Sequence, residues 1–161
     1  MEFHKGDPVV HWMHGLGRVV RLEKREVAGT VSLYYAVQVR DITVWVPADD
    51  KLENRLRSPL SEGEFKKLIA ILSAPGKPLP SDNRERRMHI QQLLKDGQAE
   101  TLCRAIRDLS AAQRGKSLNE YDQSLMKRMQ NVLLGEWGLA LSVSPEHAAL
   151  ELNRLLGASS G

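Results

Sequence analysis

With 161 residues, 42% of them hydrophobic and 27% charged, the chain is long enough for one sizeable core or two small ones. Its one cysteine, Cys103, excludes an internal disulfide and fits a reducing compartment, and no run approaches the ~20 apolar residues of a membrane-crossing helix. The net charge of +3 is unevenly spread: residues 1–60 carry 9 basic and 8 acidic side chains, whereas residues 84–128 carry 10 basic and 6 acidic, an excess that suits a polyanion or a solvated helix surface.

In chain order, the polar start Met1 to Asp7 is no signal peptide, and a cytoplasmic address is expected. From Lys5 to Asp49, valine-rich runs (Arg18 to Val27, Val31 to Arg40, Ile42 to Pro47) are broken at Gly15, Gly17 and Gly29, a pattern of short strands with tight turns. About fifty residues bury their apolar face best as a curled sheet or small barrel. Alternation puts Tyr35, Val37 and Val39 on one strand face and Tyr34, Ala36 and Gln38 on the other, so one face packs and the other is open to a partner. Gly15-Leu16-Gly17 lacks the third glycine of a dinucleotide loop, because Val20 holds that place. His11 and His14 lack further ligands at a recognised spacing, so no metal is expected.

After Pro59 the signals are helical. Ser61 and Glu64 form a capping box, Leu60 and Phe65 a hydrophobic staple, and Leu68, Ile69, Ile71 and Leu72 follow at helical spacing. The stretch 74–81, with Pro75, Pro78 and Pro80, is expected to be a semi-rigid spacer. Asp82 and Glu85 cap a second helix ending at Gly97. Its first turns carry Arg84, Arg86 and Arg87, which oppose the helix macrodipole and are either simply exposed or await an anionic partner. A third helix runs from Glu100 to Arg114-Gly115. There Ser110 to Ser117 misses the phosphate-loop pattern at its first glycine, and the approach is helical where a strand is required, so nucleotide binding is rejected. Ser117 and Glu120 are read as a third box opening the longest helix, whose stripe from Leu118 and Tyr121 through Leu125, Met129, Val132, Leu133 and Trp137 to Leu141 is core, with Lys127 and Arg128 off it. Ser144-Pro145-Glu146 starts a last helix ending before Gly157, and residues 158–161 are read as a frayed tail.

No catalytic constellation, cofactor loop or small-molecule motif is present, which favours binding over catalysis. The expected class is α+β: a β domain over 1–60 and a domain of four to five helices over 61–161, with the proline-rich stretch inside it.

Lys5-Gly6-Asp7-Pro8-Val9-Val10, His14-Gly15, Ala28-Gly29 and Ile42 to Pro47, followed by Asn83 to Arg87, Arg107-Asp108-Leu109, Leu118 to Met129 and Leu134 to Ala140, together resemble the CarD/CdnL bacterial transcription regulators. The amino-terminal domain of that family is shared with transcription-repair coupling factor. The resemblance implies a Tudor-like, SH3-like β barrel that binds the β subunit of RNA polymerase. It also implies a helical domain that touches promoter DNA just upstream of the −10 element and stabilises the melted promoter. On that footing Arg25, Trp45, Val46 and Pro47 are candidate polymerase contacts, and Arg84, Arg86, Arg87, Lys127 and Arg128 candidate DNA contacts. The chain departs from the family pattern twice. Arg84 stands where members usually carry a tryptophan that wedges into the minor groove, and Trp45 stands where many carry a polymerase-contacting arginine. Trp45 is then either an exposed interface anchor or a packed core ring. The leading expectation is a non-enzymatic transcription regulator. The alternative is an adaptor that docks on polymerase with weakened or absent DNA contact.

Overall fold

The computed structural model describes residues 2–158. Five antiparallel strands come first: β1 (Pro8–His11), β2 (Gly15–Val27), β3 (Thr30–Val39), β4 (Ile42–Pro47) and β5 (Leu56–Arg57). Five helices follow: α1 (Glu62–Ser73), α2 (Asn83–Leu93), α3 (Ala99–Gly115), α4 (Glu120–Leu141) and α5 (Pro145–Ala158). The sheet order is β4-β3-β2-β1-β5, which leaves β4 and β5 at the edges. Because β2 begins at Gly15, Gly15 and Gly17 are strand residues opposite His11 and Val9, where turn residues were expected. The reason is proximity. A Cβ on Gly17 would stand 2.7 Å from the Gln38 carbonyl oxygen, and one on Gly15 would stand 3.3 Å from the Cα of Val132 in α4. β2 and β3 join through Ala28 and Gly29, both at positive φ, a two-residue turn whose twist suits a hairpin.

Strand alternation divides the packing. Tyr35, Val37 and Val39 face an apolar cluster with Val9, Val19 and Val46, as their spacing predicts. Val10, one residue from Val9, points the opposite way into a second cluster built by the helices, and Leu16 packs on it too. β1 therefore lies between two cores, and apolar packing is continuous from strands to helices. The helical core gathers Phe65 and Leu68 of α1, Ile106 and Leu109 of α3, Leu133 and Trp137 of α4, and Leu152 of α5. The Phe65 and Trp137 ring centroids are 5.4 Å apart.

Helix starts follow local chemistry. Ser61 and Glu64 form the full reciprocal box, and Asp82 accepts the Glu85 amide. At α4 the cap is Asn119, whose side chain accepts the Asp122 amide, so the Ser117–Glu120 box is not used and the helix begins at Glu120. Ser110 lies inside α3, as the rejection of a phosphate loop requires. The proline-rich stretch is strapped onto α3: the Lys77 amide donates to Asp108 Oδ1 at 2.8 Å, and a Cβ on Gly76 would lie 2.5 Å from the Ala111 methyl. α5 extends through Ala158, one residue into the stretch read as a tail, and residues 159–161 lie outside the described residues. Among the described residues, no helix is long and apolar enough to cross a membrane.

Candidate functional site

The outer face of the sheet is built by register. Trp45 on β4 stands opposite Ala36 on β3, which stands opposite Arg21 on β2. Four residues further along β2, Arg25 reaches back over the same ring, with its guanidinium carbon 4.0 Å from the Trp45 ring centroid, while that of Arg21 lies at 5.3 Å. Such stacking holds a guanidinium flat without neutralising it, so it stays available to an acidic partner. Arg21 also pairs with Glu23 at 2.7 Å. Trp45 is half-buried on this outer face and belongs to neither core cluster, which decides between the two readings in favour of the surface. Pro47 closes the edge strand. Val46 must be corrected as a contact: strand alternation turns its side chain inward to 1% exposure, within the sheet core.

On α2 the three arginines part company. Arg84 and Arg87 are exposed. The Arg87 guanidinium carbon lies 3.8 Å over the Tyr121 ring of α4, and Gln91 donates to the Tyr121 hydroxyl at 2.9 Å. Arg86 is the second correction. Its Nε donates to Asp122 Oδ2 at 2.8 Å, its other nitrogens donate to the carbonyls of Pro80 and Ser81 and to Asn83 Oδ1, and its side chain is 11% exposed. It ties α2 to α4 and has no donors to spare for phosphate. Lys127 and Arg128 are exposed on α4.

Sequence reasoning missed the joint between strands and helices. Arg57 of β5 donates two bonds of 2.7 Å to the two carboxylate oxygens of Glu136, which is fully buried in α4. Glu136 also accepts the Leu60 amide, and Arg57 Nε donates to the Gly97 carbonyl. Gly97 sits at φ +69, and a Cβ there would press within 2.4 Å of the Asn54 carbonyl oxygen. One signal was available: Glu136 falls on the apolar stripe between Leu133 and Trp137, and a charge on a buried face requires a partner. Nothing local pointed to Arg57, 79 residues away.

Two buried groups are held away from their ordinary titration. Burial, and then the neighbouring His14, lower the pKa of His11 to about 4, and its Nδ1 accepts the amides of Met13 and His14. Burial, and then Glu136, push the Cys103 thiol up to about 12. No group of three or more His, Cys, Asp or Glu among the described residues has a metal-binding arrangement. Between the two halves opens a cleft of about 590 Å³, with Trp12, Lys51 and Arg55 from the β side and Lys95, Tyr121 and Arg128 from the helices in its lining. No sequence motif points to such a cavity.

Residues 3–58 match the CarD-like/TRCF RID domain, and residues 67–153 match the CarD C-terminal domain. This chain belongs to the CarD family. It is similar to a protein of Bacillus subtilis (strain 168) named "Putative transcription factor YdeB", with 22% identity over 136 residues that span 83% of this chain and 89% of the relative. The sequence resemblance is thereby borne out over both halves of this CarD-family chain, and so is its α+β architecture of sheet followed by helices.

Proposed function

We propose that this CarD-family chain is a transcription regulator. It docks on the β subunit of bacterial RNA polymerase through the outer sheet face at Arg25, Trp45 and Pro47. It meets promoter DNA near the upstream edge of the −10 element through Arg84, Arg87, Lys127 and Arg128, changing the stability of the open complex. The observation that carries the reading is the Arg25–Trp45 stack, 4.0 Å deep, beside the edge strand β4. A cation fixed on an aromatic ring next to unpaired strand backbone suits a protein partner that supplies a carboxylate and a strand edge. Arg84 favours the adaptor as a second reading, because a flexible cation replaces the apolar wedge that would support unstacked bases.

Titration of the folded chain with the purified β-subunit lobe tests the first half. Arg25→Glu and Trp45→Ala are expected to weaken binding by about tenfold or more, the scale of interface hot spots. A folded wild-type chain that does not bind the lobe ends the polymerase reading. Arg84→Trp separates the two alternatives: a gain in promoter opening means the DNA path is intact, and no change selects the adaptor.

A further inference from the structure

We infer that the cleft between the strands and the helices is a binding site for a nucleoside phosphate. The ligand is either a free nucleotide or an unpaired nucleotide of a single strand, held in a cleft away from Ser110 to Ser117, so the missing phosphate loop that argued against nucleotide binding in the sequence does not bear on it. This goes beyond the proposed function, because it concerns a cavity between the two proposed contact surfaces; it shares only Arg128 with the proposed duplex contacts and otherwise stands on its own lining.

The cleft's volume, about 590 Å³, falls in the range of sites that enclose small organic ligands. Its lining has two chemistries. Leu94, Leu102, Leu125, Met129 and Val132 are apolar, and two aromatic rings join them, Trp12 from the turn after β1 and Tyr121 from the first turn of α4. Trp12 is 38% exposed, an unusual state for an indole with no partner outside the chain. The other chemistry is cationic. Lys51, Arg55, Lys95 and Arg128 all line the cleft, and no carboxylate does. Arg55 is paired with Asp49 at 2.6 Å, but no ion pair is seen for Lys51, Lys95 or Arg128 among the described residues. Arg87, stacked on Tyr121, extends this cationic row along α2.

A purely apolar ligand would leave three cations facing it without an anion, and inorganic phosphate would leave the rings and aliphatic lining unused. A flat aromatic body joined to a phosphate satisfies both at once. Bases stack on tryptophan with little dependence on sequence, which makes Trp12 the platform; the Tyr121 ring already carries Arg87 and its hydroxyl accepts from Gln91, which leaves the Asn54 amide for a base edge.

The test is calorimetric titration of the full chain with four probes: ATP, a short single-stranded oligodeoxynucleotide, the duplex of the same sequence, and inorganic tripolyphosphate. The expected result is saturable binding of ATP if the source is free nucleotide, or of the single strand in preference to the duplex if the source is DNA. In either case Trp12→Ala should weaken binding by about tenfold through lost stacking. Lys51→Glu with Lys95→Glu, both at the surface, outside the proposed duplex contacts and expected to leave the fold intact, should weaken it at least as far. The inference is overturned if neither ATP nor the single strand binds. It is equally overturned if tripolyphosphate binds as tightly as ATP, so that no base is read, or if the variants bind like the wild type. Arg84→Glu serves as the outside control: it lies off the cleft lining, so it should lower duplex binding and leave ATP binding unchanged, which keeps failure of this site distinct from failure of the proposed function.

Discussion

At His11 burial removes the ring from water, and two backbone amides occupy its Nδ1, so the folded chain holds the neutral form. The folded pKa of about 4 lies below the ordinary value of 6.5, so between those values the unfolded chain takes up a proton that the folded chain refuses. Stability is unaffected above that window and falls as pH drops through it, by about 3 kcal/mol when the whole shift is expressed. Urea unfolding at several pH values should show this slope in the wild type and a flatter one in His11→Asn, which keeps an acceptor but cannot charge. Equal slopes would assign the acid sensitivity elsewhere. The sequence showed His11 and His14 as a pair and supported rejection of a metal. It did not show that the first ring serves as the acceptor for its own turn, because that depends on how β1 ends.

At the scale of one helix, α2 separates three arginines that look alike in the sequence. Helical rotation of 100° per residue sends Arg86 inward to Asp122, 36 residues on, and leaves Arg84 and Arg87 outside. Removing Arg86 leaves the Asp122 carboxylate, whose Oδ1 already lacks a hydrogen-bond partner, as an uncompensated buried charge. Arg86→Ala should therefore lose about 3 kcal/mol or more and lower the melting temperature by roughly 10 °C. Arg87→Ala should change stability by less than about 1 kcal/mol, yet reduce the slope of log affinity for DNA against log salt by about 1. Melting curves and a salt series on the two variants check both statements; an Arg86→Ala chain that melts like the wild type would remove the clamp, and an unaltered Arg87→Ala slope would remove that phosphate contact. Caps and stripes were legible because they are local: Ser61, Asp82, Ser144 and the row from Met129 to Trp137 announce themselves within a few residues. The direction of Arg86 and the strap of Lys77 on Asp108 were not, because their partners are far along the chain.

In the whole molecule, the β segment and the helices are joined through a buried ion pair. Arg57→Met alone leaves the Glu136 charge buried without its partner and should cost about 3–5 kcal/mol, whereas Arg57→Met with Glu136→Leu should recover most of that loss. Denaturant midpoints of the single and double variants decide it; equal loss in both would mean that the pair's geometry, and not the stranded charge, sets the cost. The sequence made the change from strand to helix plain near residue 60 and did not reveal how firmly the change is bridged, since neither Arg57 nor Glu136 carries a local signal of the other. Because Arg57 grips Glu136 on one side and the Gly97 carbonyl on the other, strand, α4 and the connection between α2 and α3 share a single anchor. The chain then works like a calliper whose jaws have been locked. Under the proposed function, a partner that holds the jaw at Trp45 sets where the jaw at Arg84 meets DNA, so moving the DNA target by one base-pair step of about 3.4 Å is expected to weaken joint engagement.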